Sequence, residues 1–346
     1  ARRARECGQV DGLIAAPNGA AFVREPGILP EMLEEFFNQR QRARQAGDAV
    51  ASYAYKIVMN SFYGVLATDS CRFAEGELAG AITEFGQHIL RWTRRLLESA
   101  GRGTVLYGDT DSLFVDAGLP RQVGVAEALA RGRQLCGWIN GELAGYVRQE
   151  YDLPSHLELE FEKYYRRFFL PPVRGGGDRG RAKGYAGLAA DEGGEAVEIV
   201  GMEAVRRDWT DLAHALQRDL LDLLFHDAPG RQLEARVVEW VEAVRAGQRD
   251  GDLVYRKSLR KDVGKYGAAS PPHVVAARLL PRPSGLIRYV VTADGPQPLG
   301  HVTAPLDYEH YVQKQIAPIV RTIAAVCDLD VEAAISGTRD LFRSQP

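Results

Sequence analysis

Two aspartates separated by one residue stand in the run Tyr107-Gly108-Asp109-Thr110-Asp111-Ser112, preceded by the apolar run that begins at Thr104 and followed by Leu113-Phe114-Val115. Such a run reads as a β-hairpin with polar residues at its tip. On extended backbone, residues i and i+2 share a face, so Asp109 and Asp111 are expected to present their carboxylates together. Like charges held side by side repel unless a cation neutralises them, and an all-oxygen pair suits hard Mg²⁺, the setting of phosphoryl transfer. A lone pair of this kind also occurs in ordinary Asp-rich turns. The twelve-residue acidic pattern of an EF-hand loop is absent.

A second group is cationic. Lys56, Asn60 and Tyr63 in Lys56-Ile57-Val58-Met59-Asn60-Ser61-Phe62-Tyr63-Gly64 fall at i, i+4 and i+7 and line one helix face. Arg40 and Arg44 stand one turn apart on the helix before it. If the two helices pair, three cations converge, and guanidinium forks with a lysine point charge are suited to grip a triphosphate. The plainer alternative is a solvated basic helix face.

Elements must hold these groups in place. Leu29, Met32, Leu33, Phe36 and Phe37 recur at helical spacing and predict a helix over 28–45, ended by Gly47-Asp48. A second helix is predicted from Ala49 to Tyr63, stopped by Gly64. Further helices are predicted over 84–99 and 126–151, and strands over 157–162 and 167–170. Arg174 to Arg181 reads as a Gly-rich basic loop. Beyond Gly201 the chain is predicted to be mainly helical, with periodic apolar residues over 212–225 and 233–244. Ser270-Pro271-Pro272 and 281–283 read as connecting loops. The elements read as α+β: a helical pair, then strands with covering helices, then a mainly helical domain.

At 346 residues the chain is expected to form two or three units. Its 45% hydrophobic residues are enough to build cores, which excludes wholesale disorder. The net charge of -3 is not that of a globally basic nucleic-acid binder, so any such contact must rest on local charge. Cys7, Cys71, Cys136 and Cys327 form no CxxC pair, which argues against a disulfide framework or a zinc site and for a reduced, cytoplasmic setting. No apolar stretch approaches the roughly 18 residues a membrane helix needs. A basic start at Ala1 without methionine reads as an excerpt of a longer chain.

The cationic and acidic segments, in this order, resemble the KxxxNSxYG and YGDTDS motifs of B-family DNA polymerases. Arg40 and Arg44 match basic positions of that family's first fingers helix, and Leu159-Glu160-Phe161-Glu162-Lys163 and Lys183-Gly184-Tyr185-Ala186-Gly187 resemble its later palm motifs. Val205-Arg206-Arg207-Asp208-Trp209 is similar to its entrance to the thumb. Leu253 to Lys257, Pro271 to Val274, Ala276 to Leu279 and Pro305 to Tyr311 resemble the thumb of the bacterial DNA polymerase II branch. The resemblance covers nearly the whole chain. It implies partial fingers over 1–65, a partial polymerase palm over 66–203 and a thumb over 204–346.

The resemblance further implies template-directed DNA synthesis, with primer-template DNA and dNTP as partners and two Mg²⁺ ions as cofactors. Asp111 is then the main metal ligand, Asp109 a supporting one, and Glu162 a carboxylate near the site. Arg40, Arg44 and Lys56 contact the triphosphate, Asn60 supports that grip, and Tyr63 packs at the nascent base pair. Lys183 and Tyr185 meet the primer strand, where two of the family's usual basic positions are lost and Arg179 and Arg181 are candidates to replace them. Arg206, Arg256, Lys257, Arg260 and Lys261 are expected on the duplex backbone, together with Lys265 in the same basic stretch. The terminal peptide Leu341 to Pro346 is weighed as a sliding-clamp contact. The family's palm aspartate in a DxxSLYPS-like motif and its exonuclease motifs do not occur in the sequence. The chain alone is therefore expected to bind primed DNA and polymerise negligibly. The alternatives kept open are a catalytically silent DNA-binding scaffold and, more remotely, another metal-dependent phosphotransferase, although no GxxxxGK[ST] phosphate loop is present.

Overall fold

The computed structural model describes residues 12–25, 27–72, 74–172, 183–267 and 270–336. Packing divides them into two compact units, one running to Pro120 and including Arg133–Phe161, the other made of Arg121–Gly132 and the residues from Glu162 onward. The sheets are small and antiparallel, and the fold is α+β as expected. The Gly-rich loop with Arg179 and Arg181, and the terminal peptide from Leu341, lie outside the described residues.

The first unit is built around a helical hairpin. Helix α1 (Ile28–Gln45) and helix α2 (Ala49–Leu66) are joined by a tight turn in which Gly47 takes φ 71 and Asp48 caps α2, its carboxylate accepting from Ala51 N–H at 2.9 Å. Phe36 fixes the pairing by packing on Tyr55 and Phe62, ring centroids 6.2 and 5.9 Å away. Contrary to expectation, Gly64 does not stop α2, which continues to Leu66 and closes when Ala67 N–H donates to Tyr63 C=O. Leu66 is buried, and that anchorage outweighs the loss of roughly 1 kcal/mol that glycine brings to a helix.

Helix α3 (Gly76–Ser99) begins two turns before residue 84, because Ala81 packs with Ala16 and Ala20 beside the small β1–β2 ribbon (Ile14–Ala15, Ala21–Phe22). Its glycines mask the apolar period in the sequence. Strands β3 (Thr104–Asp109) and β4 (Ser112–Asp116) follow as the expected hairpin, with a bulge between Val105 and Tyr107. Helix α4 (Val125–Tyr151) packs on α3 through aromatics: Trp92 stacks on Tyr146 at 4.6 Å, and His88 Nε2 lies 2.7 Å from the Tyr146 hydroxyl. The Tyr151 hydroxyl, pushed up to about 12 by burial and its hydrogen bond with Tyr146, stays neutral.

The strand expected over 157–162 does not form. The amide of Asn140 on α4 takes the place of a partner strand, accepting from Leu159 N–H at 2.8 Å and donating to Leu159 C=O at 2.9 Å. The segment stays extended without a ladder, with Glu158 and Glu160 exposed on either side of half-buried Leu159.

In the second unit β5 (Tyr164–Phe169), β6 (Tyr185–Asp191) and β7 (Gly194–Val200) form one antiparallel sheet. Helices α5 (Asp211–Phe225) and α6 (Gly230–Arg245) bury Leu212, Leu216, Leu220, Val237, Val241 and Val244 completely. The region beyond Gly201 is not helical throughout. It holds a second three-stranded sheet in the order β10 (Gly295–Pro298), β9 (Leu286–Thr292), β8 (Tyr255–Ser258), with the stacked rings of Tyr255, Tyr289 and Tyr311 at its core. Helical periodicity is silent about such short strands. Pro272, expected in a loop, opens helix α7 (Pro272–Ala277), where its missing N–H is not needed. Helices α8 (Tyr308–Tyr311) and α9 (Ala317–Ala324), joined by a π turn over Val312–Ile316, and α10 (Val331–Ser336) complete the core.

Gly201 closes the β5–β7 sheet at φ 64, and a Cβ there would collide with the backbone carbonyl of Lys183. Overpacking and the left-handed backbone together make Gly201→Ala destabilising by on the order of 2–4 kcal/mol. Thermal unfolding of the variant should begin on the order of 10 °C lower, whereas an unchanged midpoint would show that the chain crossing at Lys183 is not fixed.

Candidate active site

The acidic hairpin turns through two residues only. Asp109 pairs with Ser112 at the end of the ladder, and Thr110 and Asp111 form the loop. Thr110 takes φ 53, a left-handed conformation unusual for a β-branched residue. Asp111 therefore stands in the turn and not on extended strand, so the parity that was expected to align the two carboxylates does not apply. The turn sets their relation instead. The Thr110 hydroxyl donates to Asp109 Oδ1 at 3.0 Å, and Ser112 Oγ donates to the Asp109 carbonyl at 3.1 Å. Asp109 is half-buried and Asp111 exposed. Tyr107 and Phe114 pack across the hairpin at 5.5 Å and stiffen its base.

These carboxylates are hard oxygen donors of the kind Mg²⁺ takes, one or two from protein with water and phosphate completing the octahedron. Among the described residues no three His, Cys, Asp or Glu side chains gather into a metal-ligand set. The third sequence candidate, Glu162, belongs to the second unit, where it lines a cavity of about 460 Å³ with Lys163, Asp191, Glu195 and Glu198. There Lys163 Nζ lies 2.8 Å from Glu198, and the Tyr165 hydroxyl donates to the same carboxylate. Burial alone would raise Glu198, but those two hydrogen bonds hold its carboxyl below the usual range.

The cationic residues do converge. Arg40, Arg44 and Lys56 line one cavity of about 450 Å³ at the α1–α2 turn, floored by Gly47, Asp48, Ala49, Ser52 and Tyr53. Pairing of the helices, rather than spacing along either one, makes this cluster. Arg40 Nε is, among the described residues, the one buried side-chain nitrogen or oxygen with no hydrogen-bond partner. Such a donor is costly to leave unmade, and an anion would satisfy it. Arg44 reaches Glu160 Oε1 at 3.6 Å. Asn60 and Tyr63 continue along α2, exposed, and do not line the cavity. Ser52, Tyr53 and Asn140 were not singled out from the sequence. The first two could have been found by extending the Lys56 face one turn back, whereas nothing marks Asn140.

The residues expected on a DNA backbone are dispersed over the second unit. Lys183 takes φ 58 just ahead of β6, and Tyr185 packs on Phe168 at 5.4 Å. Arg206 forks onto Asp208 at 3.1 and 2.8 Å, and Arg256 forks onto Asp211 at 2.9 and 2.8 Å. Each pairing lowers the aspartate and raises the arginine. Lys257, Arg260 and Lys261 are exposed on β8 and the loop after it, and Lys261 lies 4.7 Å over the Tyr266 ring.

The described residues hold a carboxylate hairpin, a cationic helical hairpin and small antiparallel sheets, and comparison with known proteins fixes the family. The chain belongs to DNA polymerase family B, whose sequence profile matches residues 9–326. It is similar to DNA polymerase II of Escherichia coli (strain K12), 38% identical over 335 residues that make up 93% of this chain and 42% of the relative. It is also similar to a DNA polymerase of Desulfurococcus sp. (strain Tok), at 27% identity over 90% of this chain and 40% of the relative. The solved structure of the family B DNA polymerase from Pyrobaculum calidifontis superposes with a TM-score of 0.60 at 26% identity, over 91% of this chain and 40% of that one. The chain thus spans about two-fifths of the length of these relatives.

The Arg256–Asp211 fork gives a pH test. The folded Asp211 carboxyl is lowered, so the pair stabilises the chain above the ordinary aspartate range, near pH ~4, and the contribution fades as pH falls through the lowered value. In urea unfolding, the stability lost in Arg256→Met should be largest near neutral pH and should shrink on acidification. A pH-independent loss would show that the fork contributes packing alone.

Proposed function

We propose that this chain carries nucleotide-binding and catalytic groups for template-directed DNA synthesis, in which a primer 3′-hydroxyl attacks the α-phosphate of a dNTP and pyrophosphate leaves. The observation that carries the reading is the convergence of Arg40, Arg44 and Lys56 on one cavity in a family B chain. In this reading 1–65 is part of the fingers, 66–203 part of the palm and 204–346 the thumb.

Asp109 and Asp111 are the residues that would hold Mg²⁺, which when bound supplies Lewis-acid stabilisation of the charge developing on phosphate. Arg40, Arg44 and Lys56 bind the triphosphate through charge-assisted hydrogen bonds and hold it for in-line attack. Asn60 supports that grip from the next turn of α2, and Tyr63 packs against the nascent pair. Lys183, Tyr185, Lys257, Arg260 and Lys261 hold the primer-template. Arg206 and Arg256 join them only by exchanging Asp208 and Asp211 for a phosphate. A cytoplasmic location and a part in replication or repair belong to the same reading. No DxxSLYPS-like aspartate motif occurs in the sequence, and synthesis by the 346-residue chain alone is expected to be negligible.

Two measurements test this. Primer extension by the chain alone should stay at the level of its Asp111→Asn variant, and robust Asp111-dependent synthesis would overturn the missing-ligand argument. Lys56→Ala should weaken dNTP binding roughly tenfold or more, the worth of hydrogen bonds to a charged group, while primed duplex binds nearly unchanged. Equal loss of both in fluorescence titrations would remove Lys56 from the triphosphate.

A further inference from the structure

Glu160 stands 116 residues beyond Arg44 in the chain and yet meets it, Oε1 to Nη1 at 3.6 Å, and Arg44 lines one cavity with Arg40 and Lys56. The contact is built, since the segment that carries Glu160 has no strand partner. Its backbone is held at Leu159 by both ends of the Asn140 amide, at 2.8 and 2.9 Å, and Cys136 Sγ adds a third contact to the Leu159 carbonyl at 3.1 Å. Asn140 and Cys136 lie one turn apart on α4, so a rigid helix fixes the residue just before Glu160. Alternation along the extended segment then sends Glu160 to the exposed side, as it does Glu158. Of these two acids Glu160 is the one paired with a cavity cation, while Arg40, which lines the same cavity, keeps its buried Nε without a partner.

We infer that Glu160 is a resident counter-anion of the polyphosphate cavity: its carboxylate holds Arg44 when no polyphosphate is bound and yields it when one enters. The inference rests on the triphosphate reading of Arg40, Arg44 and Lys56. Three cations brought together repel one another, and one carboxylate relieves part of that repulsion without filling the cavity. A triphosphate, with more charge and more oxygens, can satisfy Arg40 Nε and Lys56 as well, so it displaces Glu160 where a single carboxylate or a monophosphate competes poorly. Glu160 thus competes with a ligand for Arg44 and sets the threshold of negative charge that ligand must bring. Glu158 and Glu160 are both near Cys136, whose thiol is pushed up by burial first and by these two charges next.

Calorimetric titration of the full 346-residue chain with metal-free tripolyphosphate tests this. Glu160→Gln should tighten binding roughly two- to fivefold, the size of an exposed ion pair, and the gain should vanish in an Arg44→Ala background. Glu158→Gln, which removes the same charge from the same segment, should leave affinity unchanged. Equal tightening by both glutamines, or a gain that survives Arg44→Ala, would reduce Glu160 to general surface charge and overturn the inference. Lys56→Ala separates the two layers of the argument. If it binds tripolyphosphate as the unaltered chain does, the triphosphate reading falls and the role of Glu160 with it. If it weakens binding while Glu160→Gln changes nothing, the role of Glu160 alone falls.

Discussion

Like charges do not gather by themselves, and the cluster of Arg40, Arg44 and Lys56 exists because a helical hairpin holds it together. Two cations one helical turn apart already destabilise an exposed helix by roughly 0.2–0.5 kcal/mol. A third from the facing helix adds to that. The opposing terms are the φ 71 turn at Gly47, the Asp48 cap and the ring packing of Phe36 on Tyr55 and Phe62. The net result is a surface poised for anions, with Arg40 Nε already desolvated and unpaired. Desolvation of that donor is tolerated because the hairpin's apolar contacts offset it, and an anion bound there as proposed would recover it.

The acidic hairpin follows the opposite logic. Asp109 and Asp111 sit on a hairpin so short that its loop is Thr110 and Asp111 alone, and the strain of Thr110 at φ 53 is held by pairing of Asp109 with Ser112 and by Tyr107 on Phe114. Their repulsion is relieved by solvent around exposed Asp111 and by the Thr110 hydroxyl on Asp109. In the second unit, by contrast, several cations are matched inside the fold. Arg206 with Asp208, Arg256 with Asp211 and Lys163 with Glu198 each neutralise a side chain that sequence alone presents as an available cation.

Long periodic elements were legible before any coordinates. The bounds of α1 were read correctly, the hairpin was placed at its motif, the α+β class was read from the order of predicted helices and strands, and the polymerase family from two short motifs with the later segments that support them. Misreadings arose where tertiary contact overrides local signal. Gly64 looks like a helix stop until Leu66 is seen to be buried, and the early turns of α3 are hidden by glycines that only the contact with Ala16 and Ala20 explains. The missing strand before β5 is the sharpest case, since an extended, alternating segment has a strand's sequence and lacks only a neighbouring strand, which Asn140 replaces. At the site, helical spacing gave the cationic faces, but whether Arg206 and Arg256 are free or paired depends on aspartates that fork geometry alone identifies.

A crystal structure of the chain soaked with a deoxynucleoside triphosphate examines the central claim most directly, because it locates the phosphates without relying on turnover. The expected result is density for the phosphate tail in the α1–α2 cavity, with an oxygen within hydrogen-bond distance of Arg40 Nε and others at Arg44 and Lys56. Phosphate density against other residues, with Arg40 Nε still unpaired at saturating nucleotide, would contradict it.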